Sequence, residues 1–336
     1  MQPSHAAIVY NPVRMPLERV RRAVEEQERR HGWGPSRWYE TSGGDSGRRA
    51  AQDAVEGGAA VVVVAGGDGT VRTVAEVVQE AGMPLALLPT GTGNLLARNL
   101  GLPLNDVERC VRIAFGVTTR RVDVACAELE DESGARSRQA FLVMAGIGLD
   151  AEMAEHAGAL AKQRLGWLAY VAPIARSVIA NRLFHVDFRI DGGHTKSARA
   201  HTIIVGNCGT LTGKMLLIPA AVVDDGLLDV VMLRPQGRFG WAQIGARLMV
   251  QGIAHRSRFG RNMFRLAPEL RALAYAQGQR FDVRFETPHG IELDGDSFGL
   301  VVRARVTVRP GALGVRVGGD AARAGSAGGV PGGAQG

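Results

Sequence analysis

An unbroken apolar run, VVVVA at residues 61–65, leads directly into Gly-Gly-Asp-Gly-Thr at residues 66–70, and a helical pattern follows at 71–82. An apolar run without polar alternation is typical of a strand that is covered on both faces, as in parallel sheets flanked by helices. The run therefore predicts a buried parallel strand. It ends on glycines, which are the residues least able to pack, so the loop after it is a candidate functional site.

The same alternation of apolar runs and helical patterns extends over the first 116 residues. Strands are predicted in AAIVYNP, RWYETS, VVVVAGG and PLALLPTGTGN, and helices in LERVRRAVEEQERRHG, SGRRAAQDAVEG and VRTVAEVVQEAG. Strands that alternate with helices indicate a parallel sheet with helices on both faces. We therefore predict an N-terminal three-layer α/β domain over residues 1–120.

The pattern changes after Arg121. Segments such as RRVDVACAEL, QAFLVMAG, ARAHTIIVGN and GLVVRARVTVRP alternate in polarity or are rich in β-branched residues, with turn residues between them. They predict a largely antiparallel, β-sandwich-like domain over residues 121–317, and a return of its last strand to the first domain is an alternative. The tail at 318–336 is rich in glycine and alanine and has almost nothing to bury, which predicts disorder.

Two helical patterns interrupt the second domain, at 158–182 and 239–254. The first has apolar residues at helical spacing, which favours a helix packed on the sheet and leaves contact with a lipid as the alternative. Near the second lie aromatic residues and arginines that predict binding to an anionic membrane surface, with solvation of a helix and loop as the alternative: Trp241, Phe259, Arg238, Arg247, Arg256, Arg258, Arg261 and Arg265.

The formal net charge is +7, which fits an anionic membrane surface but is also typical of an arginine-rich composition from a G+C-rich genome. The three cysteines have none of the paired spacings of zinc or redox sites. The sequence also has no run of about 18 apolar residues that could span a bilayer. We therefore predict a cytoplasmic protein that associates peripherally with a membrane and does not bind nucleic acid.

A second glycine-rich loop, in LLPTGTGNLLARNLG, lies one strand and one helix after the first. Glycines let the backbone approach a bulky anion, and the helix that follows offers unpaired amides and the positive end of its dipole. A single loop of this kind is equally well explained as a tight turn, whereas two adjacent loops indicate one extended site for phosphate and ribose. Neither loop has the lysine of a Walker A motif, and the first lacks the GxGxxG spacing of dinucleotide folds.

Four segments, GGDGT, PTGTGNLLARNLGLP, GIGLDAEM and DDGLLDVVML, resemble in order and spacing the diacylglycerol kinase catalytic-domain family, the bacterial soluble lipid kinases related to sphingosine kinases. GGDGT alone is shared with NAD kinases. The resemblance covers nearly all of the chain from Ala6 to Val317 and implies a two-domain kinase. It also implies a set of residues that bind ATP or lie near it: Asn11, Thr41, Gly66, Gly67, Asp68, Gly69, Thr70, Thr92 and Asn94.

The chain departs from the family pattern at two places. After Asn11 and a proline the family usually has small residues and a glycine, whereas this chain has Arg14 and Met15. The family's DGE appears here within ELDGDSFG, so that Asp296 takes the place of the glutamate. A carboxylate can accept the proton of an alcohol during phosphoryl transfer. Asp296, or its neighbour Asp294, is therefore the candidate catalytic base, although DGD is also ordinary hairpin chemistry.

The segment VVDDGLLD places several aspartates around a glycine turn. Carboxylate oxygens in such a turn suit a hard cation, and a solvated turn is the alternative. The resemblance implies a structural Mg²⁺ site formed by the Asp225 carboxylate and the carbonyl groups of Val222 and Leu227. It further implies that a catalytic Mg²⁺ arrives with ATP, where Asp68 either orients the metal or contacts the substrate.

These features predict an ATP- and Mg²⁺-dependent kinase that phosphorylates a hydroxyl of a diacylglycerol-like lipid at a membrane surface, giving phosphatidic acid or an analogue. An NAD-kinase-like phosphotransferase is one alternative, and a nucleotide- and lipid-binding regulator without turnover is another. No histidine lies in an HExxH motif and no serine in a GxSxG elbow, which argues against a metal hydrolase and an α/β hydrolase. The acceptor lipid and the formation of a homodimer are left open by the sequence.

Overall fold

The computed structural model describes residues 3–42, 44–148, 183–209, 221–234 and 273–319. Both helical patterns predicted within the second domain, the arginines near the second of them, and the tail from residue 320 lie outside these described residues. The chain divides into two compact units. Unit 1 comprises Met1–Val122 and Ala312–Gly336, and unit 2 comprises Asp123–Gly311.

The described part of unit 1 contains every strand and helix that the pattern of its first 116 residues predicts, together with two further helices. The elements in chain order are β1 (Ala6–Tyr10), α1 (Leu17–His31), β2 (Arg37–Glu40), α2 (Arg48–Glu56), β3 (Val61–Gly66), α3 (Asp68–Glu80), β4 (Leu85–Pro89), α4 (Leu95–Asn99) and α5 (Val107–Phe115). Helix α3 begins at Asp68, before the predicted pattern, because Gly67 is extended and occupies the N-cap position.

The strands of unit 1 form a parallel sheet in the order β2-β1-β3-β4. Ile8 of β1 lies between Trp38 of β2 and Val63 of β3. Helix α1 packs against α5, and α2 packs against α3. Right-handed crossovers place these two pairs of helices on opposite faces of the sheet. Unit 1 therefore has the predicted three layers.

The sheet of unit 1 is buried on both faces. The four valines of β3, at residues 61–64, are each at most 1% exposed. On one face the core is completed by apolar residues of the helices, among them Val24 of α1 and Phe115 of α5. Burial of a valine side chain contributes about 1.5–3 kcal/mol. The apolar run thus anchors the centre of the sheet and holds the glycine-rich end of β3 at its edge.

The described part of unit 2 consists of strands, and the first and last of them extend across the boundary with unit 1. The strands are β5 (Thr119–Glu130), β6 (Arg136–Phe141), β7 (Met144–Ile147), β8 (Phe184–Ile190), β9 (Lys196–Ala200), β10 (Thr202–Gly206), β11 (Leu228–Leu233), β12 (Leu273–Gly278), β13 (Arg280–Leu293) and β14 (Asp296–Arg316). The end of β14 belongs to unit 1, where Val315 pairs with Leu85 of β4.

Strand pairing in unit 2 is antiparallel, in the order β12-β11-β10-β7-β13-β14. Strand β13 changes partner along its length: residues 281–285 pair with β8, and residues 291–293 pair with β7. Register irregularities lie between these two parts, and such bulges bend a strand. The predicted combination of a parallel α/β part and an antiparallel all-β part is confirmed.

Two predicted strands of unit 2 are interrupted in the structure. QAFLVMAG divides into β6 and β7, because the amides of Leu142 and Val143 donate to the carboxylate of Asp294. ARAHTIIVGN divides into β9 and β10 at His201. Strand β12 was not predicted from the sequence pattern.

Candidate functional site

The loops that follow β1, β2, β3 and β4 lie at the carboxyl edge of the parallel sheet in unit 1, where ligands bind in open α/β sheets. We define the glycine-loop site as residues 11–15, 41, 66–70 and 91–94. This set contains every residue that the sequence predicts to bind ATP.

The first glycine-rich loop is a close-packed turn from β3 into α3. A Cβ atom on Gly66 would lie 2.7 Å from the Cβ atom of Thr70, so only glycine fits there. Gly67 forms the N-cap of α3, and Gly69 and Thr70 lie in the first turn of the helix. Because Gly67 has the N-cap position, Thr70 lies inside the helix and its hydroxyl is not the cap.

The second glycine-rich loop packs directly on the first. A Cβ atom on Gly91 would lie 2.8 Å from the Cα atom of Gly67, and one on Gly93 would overlap Oδ2 of Asp68. Asn94 has a left-handed backbone, with φ 50°, and its side chain exchanges two hydrogen bonds with the backbone of Gly91, of 3.0 and 2.7 Å. The glycines therefore permit close contact between the two loops, and the Asn94 amide holds the second loop in shape.

Asp68 links the two loops through a hydrogen bond. Its Oδ1 atom accepts from the backbone amide of Leu95, at 2.7 Å, and so binds the first turn of α3 to the first turn of α4. Arg98 donates from Nε to the carbonyl oxygen of Gly93, at 2.6 Å, and this hydrogen bond stabilises the second loop. Thr92, at the tip of that loop, is exposed. Sequence reasoning did not identify Leu95 or Arg98, because contact between the loops is a tertiary feature.

Asn11 and Thr41 flank the two loops. The amide of Asn11 donates to the carbonyl oxygen of Ala65, at 2.9 Å, which joins the end of β1 to the end of β3. A Cβ atom on Gly47 would lie 2.8 Å from Cγ2 of Thr41 and 3.6 Å from Cγ2 of Thr70, so the loop after β2 also reaches α3. Gly47, with φ 94°, borders the glycine-loop site and was missed by the sequence analysis, although its position just before a helix was an available signal.

Within the described part of unit 1, helices α1 and α3 begin without a side-chain capping hydrogen bond. Side chains do accept N-terminal amides of the other helices: Asp45 accepts from Arg49 of α2, Asp68 from Leu95 of α4, and Asp106 from Arg109 of α5. Uncapped N-terminal amides and the helix dipole favour a bound anion. The arrangement can therefore bind phosphate groups.

In unit 2, the two candidate bases lie on a tight hairpin between β13 and β14. Asp294, with φ 50°, and Gly295, with φ 88°, form its two-residue loop, and Leu293 pairs with Asp296. Positive φ at both loop residues is typical of a type I′ hairpin turn. The turn therefore has an ordinary structural explanation, and the contacts of each carboxylate are needed to separate the two aspartates.

Asp294 is 6% exposed, and its carboxylate accepts three consecutive backbone amides, from Leu142, Val143 and Met144, at 2.8, 2.9 and 3.0 Å. Asn207 binds the same segment, because its Nδ2 atom donates to the carbonyl oxygen of Leu142 at 2.9 Å. The Asp294 carboxylate thus holds the junction between β6 and β7. Asp296 is half-buried and opens β14.

The acidic turn of VVDDGLLD lies beside a buried aspartate that the sequence analysis did not identify. Asp123 is 2% exposed, and its carboxylate accepts from the amides of Gly226 and Gly311, at 2.7 Å each. Partial burial raises the pKa of the Asp225 carboxyl, and the carboxylates of Asp123 and Asp224 raise it further. Negative charge therefore accumulates around this turn.

Asp229 follows the turn and is fully buried. Its Oδ1 atom accepts from the hydroxyl of Tyr275 and, at 3.1 Å, from Nε2 of Gln277, while its Oδ2 atom has no hydrogen-bond partner within the described part of the chain. Burial raises the pKa of Asp229 to about 6, and the Asp225 carboxylate contributes to the rise.

The acidic turn fits a hard cation. Among the described residues, no group of three or more His, Cys, Asp or Glu side chains is arranged to hold a metal. The set implied by the resemblance is different, since it combines one carboxylate, of Asp225, with the backbone carbonyls of Val222 and Leu227. The neighbouring negative charge that raises the pKa of Asp225 would be relieved by a bound cation, and oxygen donors of this kind suit Mg²⁺ or Ca²⁺.

Two family models match the chain. The diacylglycerol kinase catalytic domain matches residues 5–127, and the YegS C-terminal NAD kinase beta sandwich-like domain matches residues 143–317, which is more than half of the chain. A YegS-like lipid kinase of Pseudomonas putida is 31% identical over 235 residues, covering 69% of this chain and 75% of that protein. The chain belongs to the diacylglycerol kinase and YegS-like lipid kinase family.

Other relatives of this lipid kinase family match over different lengths. A YegS-like lipid kinase of Pseudomonas fluorescens is 29% identical over 89% of this chain and 91% of its own length. The diacylglycerol kinase of Mycobacterium tuberculosis is 30% identical over 59% of this chain and 63% of its own length. An uncharacterized Synechocystis protein is 28% identical, and the match spans 51% of it. The chain thus spans between half and two thirds of the length of some curated relatives.

Solved structures confirm the fold of this family member. A diacylglycerol kinase crystal structure from Bacillus anthracis str. Sterne superposes with a TM-score of 0.65 at 18% identity, covering 96% of this chain and 99% of that one. A second structure from the same organism gives a TM-score of 0.72 at 21% identity, covering 96% and 97% of the two chains. Within the described residues, no helix combines the length and hydrophobicity needed to cross a membrane.

Proposed function

We propose that this kinase transfers the γ-phosphoryl group of ATP to a hydroxyl of a diacylglycerol-like lipid, giving phosphatidic acid or an analogue. The observation that carries the proposal is the contact between the two glycine-rich loops, in which Gly91 packs on Gly67 and Asp68 binds the amide of Leu95. This contact makes one continuous backbone surface at the uncapped end of α3. Membership of a lipid kinase family supports the lipid as acceptor.

In this proposal the backbone of the glycine-loop site binds the phosphate groups of ATP. The amides of the first turn of α3, at Gly69 and Thr70, donate to phosphate oxygens, and the Thr70 hydroxyl is available as a further donor. Thr92 is exposed at the rim and suits contact with the ribose. Thr41, Asn11 and Asn94 act mainly by holding the loops in place.

Asp296 is the proposed general base. As the acceptor oxygen bonds to the γ-phosphorus, the bond to the bridging oxygen breaks, ADP leaves, and the Asp296 carboxylate takes the hydroxyl proton. General base catalysis typically contributes about 10²–10⁴-fold to the rate. Asp294 is less suited to this role, because its carboxylate already accepts three backbone amides and lies buried. We propose that Asp294 positions the turn on which Asp296 lies.

Mg²⁺ is the proposed metal for two separate tasks. Bound with ATP, it neutralises the charge of the phosphate oxygens during transfer. The carboxylate of Asp68 belongs to the glycine-loop site and would orient this Mg²⁺ ion there. At the acidic turn, Asp225 and the carbonyls of Val222 and Leu227 would hold a structural ion that compensates the charges of the surrounding carboxylates.

We further propose that the kinase works at an anionic membrane surface as a cytoplasmic, peripherally bound protein, because its acceptor is a lipid and its charge is positive. The arginines that would carry this contact lie outside the described residues.

Transfer of label from γ-labelled ATP tests the reaction. The wild-type protein is incubated with Mg²⁺ and a total lipid extract, and a parallel reaction contains NAD instead of lipid. Label in an organic-extractable product, lost in Asp296→Asn, supports the proposal. Label in NADP supports the NAD-kinase-like alternative. Label in neither product, with ATP binding retained, supports a regulator without turnover.

A further inference from the structure

Arg14 lies at the tip of a well-defined turn between β1 and α1, where the family usually has small residues. Oδ1 of Asn11 accepts from the amide of Val13 at 3.0 Å, and the carbonyl oxygen of Asn11 accepts from the amides of Arg14 and Met15 at 3.2 Å each. Met15 is buried in the core of unit 1. These contacts fix the backbone from which the Arg14 side chain extends.

The guanidinium of Arg14 lies against the first glycine-rich loop. Its Nη1 atom is 3.4 Å from the position that a Cβ atom on Gly67 would occupy. Gly67 is the N-cap of α3, so the positive charge of Arg14 lies beside the uncapped amides of that helix. Two sources of positive potential that would repel each other are thus held together, which is an arrangement that a bound anion would stabilise.

The topology of the sheet also predicts a ligand near Arg14. Strand β1 pairs with β2 on one side and with β3 on the other, and the helices that follow β1 and β3 go to opposite faces of the sheet. A crevice forms at the carboxyl ends of two strands whose helices diverge in this way. Arg14 reaches from the loop after β1 to the loop after β3, across that crevice.

Arg14 has no ion-pair or hydrogen-bond partner for its side chain within the described part of the chain. Two other arginines of unit 1 illustrate the paired state: Arg19 forms an ion pair with Glu108, and Arg48 forms one with Glu76. The glycine-loop site contains no lysine and, besides Arg14, no other arginine. It therefore offers one cationic side chain to a ligand with several negative charges.

We propose that Arg14 binds the oligophosphate chain of the nucleotide and supplies the positive charge that a lysine supplies in other phosphate-binding loops. This inference rests on the proposed function, because it assigns a ligand to the same site. A planar guanidinium can donate two parallel hydrogen bonds to phosphate oxygens. Arg14 thereby contributes to affinity for the phosphates and not for the adenosine part of ATP.

Equilibrium titration with ATP and with adenosine, each in the presence of Mg²⁺, tests this assignment. The Arg14→Ala variant loses hydrogen bonds to a charged group. Its dissociation constant for ATP should therefore be about 10- to 100-fold higher than that of the wild type. Adenosine affinity should be unchanged, and Arg14→Lys should lie between Arg14→Ala and the wild type. Arg29→Ala removes the same charge from the exposed last turn of α1 and serves as the matched control.

Each outcome separates the inference from the proposed function. If the wild type binds ATP and Arg14→Ala binds it equally well, the assignment of Arg14 is overturned while the nucleotide site stands. An equal loss for ATP and adenosine shows a structural role and also overturns it. If the wild type binds no ATP, the proposed function itself fails. Melting temperatures verify folding, and Arg14→Gln replaces Arg14→Ala if the alanine variant does not fold.

Discussion

Oδ1 of Asp68 accepts a hydrogen bond of 2.7 Å from the backbone amide of Leu95. The two residues begin α3 and α4, the helices that follow neighbouring strands β3 and β4. An acidic side chain at the start of a helix is electrostatically favourable, and here it also satisfies the first amide of a second helix. Asp68 is therefore a structural link between the two glycine-rich loops as well as a candidate ligand for the metal that accompanies ATP.

Asp68→Ala should impair both catalysis and stability. Without the carboxylate, the loops lose their hydrogen bond and the site loses its acidic group, so turnover at limiting MgATP should fall on the order of 10²-fold. Stability should fall by about 1.5–3 kcal/mol, the range for a hydrogen bond to a charged group. Steady-state kinetics and urea denaturation measure the two effects. Glu80→Ala, at the exposed end of the same helix, is the control, and equal kinetics for the two variants would contradict the role of Asp68.

Gly91→Ala should separate the two loops. The added Cβ atom would lie 2.8 Å from the Cα atom of Gly67 and 3.4 Å from the carbonyl oxygen of Gly66, and backbone atoms cannot move aside locally. Because a displacement of about 1 Å at a reacting group can cost roughly 10²-fold, kcat/KM for ATP should fall by up to that factor. Gly319→Ala, whose Cβ atom would meet nothing within 4 Å, is the control. A kcat/KM unchanged in both variants would show that the contact between the loops is dispensable.

Asp296→Asn and Asp294→Asn should fail in different ways. The first keeps the shape of the side chain and removes the base, so turnover should fall about 10²–10⁴-fold with ATP binding and melting temperature nearly unchanged. Asp296→Glu should retain activity, since glutamate is the family residue. The Asp294→Asn variant keeps only one of the two oxygen atoms that accept the three backbone amides, so some of these hydrogen bonds are lost. The free energy of unfolding should therefore fall by about 2 kcal/mol or more. Wild-type turnover in Asp296→Asn, together with a stable and inactive Asp294→Asn, would identify Asp294 as the base.

Mg²⁺ should stabilise the protein in the absence of nucleotide. A ligand at about 100 times its dissociation constant adds about 2.7 kcal/mol to the free energy of unfolding. The increase should disappear with EDTA and in Asp225→Asn, and should persist in Glu132→Gln, an exposed acid of unit 2. Melting temperatures over a Mg²⁺ titration measure it. A wild-type melting temperature that does not respond to Mg²⁺ would exclude a structural ion at the acidic turn.

Asp229 should make the stability of the metal-free protein depend on pH. Burial raises its pKa from 3.8 to about 6, so the folded state keeps a proton that the unfolded state releases. The unfolded state therefore binds fewer protons between these values, and stability should fall as pH rises through this window and level off above it. A shift of about two units corresponds to roughly 3 kcal/mol. The free energy of unfolding is measured by urea denaturation in EDTA at several pH values across this window. It should fall with rising pH in the wild type and in Glu132→Gln but not in Asp229→Asn. The same pH dependence in all three proteins would refute the assignment.

The order of strands β1 to β4 and helices α1 to α3 in unit 1 could be predicted because each of these elements has a strong local pattern, whereas α4 and α5 were not predicted. The four valines of β3 and the amphipathic pattern of α1 each indicate one structure over their whole length. Prediction was weaker in unit 2, where QAFLVMAG has the pattern of one strand. The break at Leu142 depends on the carboxylate of Asp294, which lies far away in the sequence, and no local propensity carries that information.

The sequence by itself determined the fold classes, the family, and the two glycine-rich loops, because apolar periodicity and glycine positions are local properties that can be read along the chain. Only the tertiary structure decided how these residues divide their tasks. It placed Gly91 on Gly67, assigned Asp68 to the amide of Leu95 and Asp294 to the amides at residues 142–144, and brought the guanidinium of Arg14 beside the N-terminus of α3. The physical reason is that a buried polar group must find a partner, and the fold determines which distant segment provides it.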